Sequence, residues 1–153
     1  MTQATKQRSA RDLWLRMLEI VNTHDFDALG EVLADDVVID WPQTNERTRG
    51  VRNIAEVFRN FPGGMLDTPA TGMRFMGGDA GKYLLTPMFT VVKAEGAGDS
   101  STSVVLRHYA DGGDWYVITM AQASNGKVVK ATQYFAPVGP APEWRSHWVE
   151  PID

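Results

Sequence analysis

Apolar positions along the chain change period partway through. Between Ser9 and about Asn22 they fall at Leu13, Trp14, Met17, Leu18 and Val21, which is the stripe of one helix face. Ser9 followed three residues later by Asp12 resembles a capping box with Asp in place of the preferred Glu, and it marks the helix start. A second helix is predicted from Asp25 to Ala34, with Phe26, Leu29, Val32 and Leu33 on one side and Gly30 weakening it. The run Val37-Val38-Ile39-Asp40-Trp41 reads as a strand stopped by Pro42, with Val37, Ile39 and Trp41 on one face and Val38 and Asp40 on the other. Residues 43–50 read as a polar loop. A third helix is predicted from Val51 to Phe61, with Ile54, Val57, Phe58 and Phe61 at helical spacing, broken by Pro62-Gly63-Gly64.

From Thr71 onward the pattern becomes that of strands separated by turn residues, with strands near 71–76, 82–95, 102–110, 114–123 and 127–135. Asn125-Gly126 is the strongest hairpin signal, because a two-residue type I′ turn needs positive φ at both central positions. A Pro-rich tail begins at about Ala136, after which Glu143 to Glu150 reads as two helical turns with Trp144 and Trp148 four residues apart. No repeat or linker divides the chain, so residues 1–153 read as one domain. Helices first and strands afterwards indicate an α+β fold: three N-terminal helices laid on one face of a curled antiparallel sheet, a cone whose open end leaves an apolar cavity. The outer face of such a sheet carries apolar residues too, so a homodimer is expected through it.

Composition narrows the chemistry. At 153 residues with 43% hydrophobic content, the chain can bury roughly 70% of its unfolded surface without staples. It has no cysteine, which excludes disulfides, thiolate nucleophiles and Cys-ligated zinc. A net charge of −4 without a basic tract argues against a nucleic-acid partner. No apolar run approaches the ~20 residues of a membrane span, and the N-terminus lacks the apolar stretch of a signal peptide, so no membrane association and a cytoplasmic location are expected. The three histidines, His24, His108 and His147, lack the HxH or HExxH spacing of a metal site, and no metal is expected. The glycine clusters lack the P-loop and GxGxxG patterns, GxSxG is absent, and no cofactor is expected.

The order of elements is a further signal: His24-Asp25-Phe26-Asp27-Ala28-Leu29, then Leu33-Ala34-Asp35-Asp36-Val37, a strand into Trp41-Pro42-Gln43, a helix, and a meander closing on Asn125-Gly126-Lys127 and Tyr134-Phe135-Ala136-Pro137. From about Ser9 to Trp148 this resembles the nuclear transport factor 2-like superfamily, whose fold is also called cystatin-like, and within it the SnoaL-like branch. The resemblance implies a cavity for a small hydrophobic molecule. It leaves the chemistry open, since the superfamily hosts isomerases, cyclases, dehydratases, epoxide hydrolases and binding proteins. Ketosteroid isomerases in this superfamily need an aspartate base, with a tyrosine and a protonated aspartate as oxyanion donors. Aligned on Ala34-Asp35-Asp36 and Pro42, the base position falls on Trp41, the tyrosine on Met17 and the oxyanion aspartate on Ile118. All three are apolar, and Asp40, one residue away, faces the other side of its strand.

If Gly112-Gly113 forms a two-residue turn, Arg107 pairs with Ile118 and Tyr109 with Tyr116, so each pair shares a face. With Ile118 inward by the alignment, the expected inward set is Val105, Arg107, Tyr109, Tyr116, Ile118 and Met120, joined on the last strand by Val129, Ala131, Gln133 and Phe135. The expected ligand-binding residues are therefore Met17, Trp41, Phe58, Arg107, Tyr109, Tyr116, Ile118, Gln133 and Phe135. Arginine and glutamine among apolar walls suit an apolar ligand with a polar or anionic handle; alternatively Arg107 reaches the rim or pairs with a carboxylate. Arg107, Tyr116 and Asp40 are the catalytic candidates, with Glu46 and Arg47 beside the expected mouth; an Asp-Arg pairing occurs in epoxide-hydrolase relatives. Two functions are carried forward: cofactor-independent acid–base catalysis on a small hydrophobic substrate, and ligand binding without chemistry.

Overall fold

The computed structural model describes residues 7–61, 74–76, 83–85, 89–96, 98–109 and 113–152. Helix α1 spans Ala10–Asn22, and the Ser9 side chain accepts a hydrogen bond from the Asp12 N–H at 3.1 Å, satisfying one of the unpaired donors of the first turn. Its stripe is buried as the spacing requires: Leu13, Trp14, Met17, Leu18 and Val21 are all core. The predicted second helix is instead a six-residue 3-10 segment, Phe26–Glu31. Strand β1 then runs Leu33–Trp41, because the backbone at Val32 and Leu33 is claimed by the last strand: Val128 N–H donates to Val32 C=O at 2.8 Å, and Leu33 pairs with Val128. A short helical segment gains little from its own hydrogen bonds, so the ladder prevails.

The region expected as a polar loop contains strand β2, Glu46–Arg49, antiparallel to β1. Its four residues are charged or polar and mostly exposed, as suits a sheet edge that must not recruit another strand. Helix α2, Val51–Arg59, follows β2, so the helices are not all N-terminal to the sheet as expected. After it come β3 (Arg74–Met76), β4 (Tyr83–Leu85), β5 (Phe89–Glu95), β6 (Ser100–Tyr109), β7 (Gly113–Ser124) and β8 (Lys127–Pro137). Among the described residues these form one sheet in the order β2-β1-β8-β7-β6-β5-β4-β3. The sheet is mixed rather than wholly antiparallel, because β1 lies parallel to β8. Asn125 and Gly126 have φ of 51° and 74°, as the tight β7–β8 turn requires.

Helix α1 lies across β5 to β8 on the concave face of the sheet. That face presents small or compact residues beneath it, with Ala121 and Ala131 buried beside Val105 and Val117, which lets the helix approach closely. On the opposite face Val104 pairs with Ile118, Leu106 with Tyr116, and Ile118 with Tyr134, forming an apolar band. The tail contains a 3-10 segment, Glu143–Trp148, rather than two α-helical turns; Trp144 and Trp148 are 74% and 78% exposed and so cover neither the cavity nor the sheet.

Candidate functional site

A cavity of about 730 Å³ lies between the concave face, α1, β1 and α2. Its wall combines Trp14, Met17 and Val21 from α1, Ile39 and Trp41 from β1, Ile54, Val57 and Phe58 from α2, and inward residues of β6, β7 and β8. The wall is mainly apolar. Six of the nine expected ligand-binding residues line it: Met17, Trp41, Phe58, Arg107, Gln133 and Phe135.

Tyr116 and Ile118 do not. The observed register pairs Val105 with Val117, Arg107 with Trp115 and Tyr109 with Gly113, so three residues, not two, separate the paired ends of the β6–β7 hairpin. The shift is odd, and an odd shift exchanges the two faces of β7. Val117, Thr119 and Ala121 therefore face inward and are buried, while Tyr116 and Ile118 are half-buried on the outer face and Met120 is exposed. Arg107 does face inward, sharing a side of β6 with the buried Val105, but the pairing with an inward Ile118 from which that direction was expected does not form. The side chains of Tyr109 and His108 lie outside the described residues.

Three polar side chains form a row across adjacent strands. The indole Nε1–H of Trp41 on β1 donates to Gln133 Oε1 on β8 at 2.7 Å, and Gln133 Nε2 donates to Thr119 Oγ1 on β7 at 3.1 Å. Thr119 and Gln133 are register partners and Thr119 is only 2% exposed. Sequence reasoning missed Thr119 because the turn length was misjudged. It also missed the wall role of Trp14, whose helical spacing signals burial but not a neighbouring void.

Arg107 is 8% exposed, and its guanidinium lies 4.4 Å from the centroid of the Phe61 ring, a cation–π arrangement that lets a charge remain at an apolar wall. At the mouth the Gln43 amide bridges to the Phe135 backbone, donating to its C=O at 2.9 Å and accepting from its N–H at 2.5 Å. This double contact holds the 3-10 turn Pro42–Thr44 to the end of β8.

Asp40 stands on the other side of β1 from Trp41 and does not line the cavity. Arg47 holds it in a forked ion pair of 2.6 and 2.9 Å across the β1–β2 ladder. Hydrogen bonding from Arg47 lowers the Asp40 carboxyl below its ordinary 3.8, which leaves it a fixed anion and a poor base near neutrality. Among the described lining residues the only carboxylate is Glu46, exposed at the mouth. No cluster of three or more metal-ligating side chains occurs among the described residues, and no helix there is long and apolar enough to cross a membrane.

The family model described as SnoaL-like domain matches residues 14–135. No curated protein matches the chain in sequence. An NTF-2 like protein of unknown function from Burkholderia xenovorans is 27% identical, with a TM-score of 0.69 over 94% of this chain and 95% of that one. A candidate ketosteroid isomerase from Kribbella flavida has a TM-score of 0.69 at 20% identity, covering 97% and 93%. IdmH, a candidate polyketide cyclase from Streptomyces antibioticus, has a TM-score of 0.59 at 15% identity, covering 84% and 92%. The last two likenesses concern the fold.

Proposed function

This chain belongs to the SnoaL-like domain family, and on that premise we propose that it holds a small, mostly apolar ligand in the cavity between α1, α2 and the concave face. The observation that carries this is a cavity of about 730 Å³ whose wall is mainly apolar, with side chains from every layer and polar residues set among them, the usual make-up of a small-molecule site. The ketosteroid isomerase apparatus does not support the chemistry: two of its aligned positions, Met17 and Trp41, are in the wall but carry no carboxylate or phenol, and the third, Ile118, is on the outer face. Binding without carboxylate-driven proton abstraction is therefore the reading the geometry favours. A catalytic reading, cofactor-independent and working by stabilising a developing oxyanion, draws support from the buried Arg107 guanidinium.

Naphthalene, followed by methyl NMR, tests the proposal. The expected result is one-to-one binding that shifts the Ile39 and Ile54 methyl resonances and leaves Ile118, on the outer face, unmoved; no shift, or shifts confined to Ile118, overturns it. The carboxylate-bearing analogue naphthoate examines the handle. A charge-assisted hydrogen bond contributes about 1.5–3 kcal/mol, so Arg107→Ala should weaken naphthoate by about tenfold to hundredfold while sparing naphthalene. Tyr116→Phe should change neither.

A further inference from the structure

Independently of the cavity, we infer that the arm following β8 seats its two tryptophans on the outer sheet face of a second copy, each copy giving one arm and receiving one. Every residue from Ala136 to Ile152 is exposed, Trp144 and Trp148 among them. Tryptophan carries the largest apolar side chain, so a pair of indoles left in water forgoes substantial burial. On the outer face, Val104, Leu106, Tyr116, Ile118 and Tyr134 form the apolar band of the paired strands. One chain thus leaves both an apolar band and an apolar arm uncovered, and surface of this kind marks an interaction site.

The root and stiffness of the arm decide which copy it reaches. The chain leaves the sheet where Val138 N–H donates to Asp114 C=O at 2.9 Å, beside the Tyr116–Ala136 pair at the end of the band. Pro137, Pro140 and Pro142 fix φ and hold the residues before them extended; Pro142 itself has φ −68° and ψ 136°. Such a chain rises about 3.1 Å per residue, so Val138 to Pro142 carry the indoles roughly 15 Å beyond the root. Tyr134 on the arm's own sheet lies about 10 Å behind that root at strand spacing. The arm therefore travels away from its own band, and a copy related by a two-fold axis presents the same band ahead of it. Two mostly exposed indoles bring about 300 Å² per arm, so two exchanged arms and the faces receiving them bury about 1,200 Å², the lower bound for a specific interface. The arm's charges are mixed, Glu143 and Glu150 against Arg145, in a chain of net charge −4, so no cationic stripe draws it to an anionic lipid surface.

The chain has no cysteine, so one introduced cysteine carries a probe at a single place. Val149→Cys bearing a nitroxide spin label, at natural isotopic abundance, is refolded from urea together with parent chain labelled in its isoleucine methyl groups, so that mixed dimers form. The label on one copy should enhance relaxation of the Ile118 methyl on the other, and more strongly than that of Ile39 and Ile54 at the cavity. In sedimentation equilibrium, Trp144→Ala/Trp148→Ala should raise the dimer Kd at least about tenfold, since buried tryptophans dominate interface energetics. The Ile39 and Ile54 methyl resonances, unchanged in that variant, report that it is folded. Enhancement at Ile118 only when label and methyl share one chain places the arm on its own sheet and overturns the inference. A parent chain that sediments at 17.0 kDa, a dimer indifferent to the double substitution, or a dimer without enhancement at Ile118 overturns it as well.

Discussion

Asp40 and Arg47 show how a charged pair near a cavity can be structural. The fork closes across two antiparallel strands, with both partners near solvent, so it orients the edge strand β2 more than it stabilises the core. Its pH behaviour follows from the direction of the shift. The folded state holds the carboxyl below its ordinary 3.8 because Arg47 hydrogen-bonds the anion, so the contribution is complete above that value and is lost as pH falls through the folded value. Carbon NMR titration of the Asp40 carboxyl should give a midpoint below 3.8, and Arg47→Ala should move it upward toward 3.8. The stability difference between that variant and the parent should be largest near neutral pH and vanish in strong acid. A midpoint unmoved by Arg47→Ala contradicts the pairing.

At the scale of elements, α1 joins the core to the site, because one helix supplies buried contacts to the sheet and part of the cavity wall. Leu13 and Met17 divide that work. Leu13 is fully buried and lies away from the void, whereas Met17 is buried and lines it. Leu13→Ala should therefore cost about 2–5 kcal/mol in urea unfolding with an unchanged m value, through lost burial and an unfilled hole. Val57→Ala on α2, where the side chain is 42% exposed, should stay within about 0.5 kcal/mol. Similar losses at both positions would mean that burial does not govern this layer. The short helix Phe26–Glu31 serves as a connector: its Phe26 ring stacks on Phe58 of α2 at 5.8 Å between centroids, tying the α1–β1 crossing to the cavity wall.

For the whole molecule the open question is what covers the outer face of the sheet. Val104, Leu106, Tyr116 and Ile118 lie there on paired strands, with Met120 44% and Tyr134 39% exposed beside them. We propose that a second copy covers this band, making a homodimer that leaves the cavities independent on the concave sides. Light scattering at micromolar concentration should give about twice the 17.0 kDa chain mass, and Ile118→Lys should reduce it to a single chain while leaving naphthalene binding unchanged. A mass of 17.0 kDa for the parent protein removes this proposal. The register of β7 decides which of its residues make the band, here Tyr116 and Ile118. In the register expected from the sequence, Trp115 and Val117 would have shared it with Val104 and Leu106.

What the sequence determined by itself is what depends on neighbours within one element. The stripe of α1, the cap at Ser9, the positive φ at Asn125 and Gly126, the placing of Arg107 with Val105, and the separation of Trp41 from Asp40 all follow from local geometry repeated every two or 3.6 residues. Tertiary structure decided the phase between elements. Whether Tyr116 or Val117 faces the cavity depends on the length of one turn, and alternation on either side carries no record of it. The end of the predicted second helix was settled by Val128 pairing across a long stretch of chain, and the parallel contact of β1 with β8 likewise has no local signal. The Trp41–Gln133–Thr119 row exists only because β1, β8 and β7 became neighbours in that register. Each residue alone is an ordinary strand position, and their common chemistry arises from long-range pairing that periodicity within a segment does not encode.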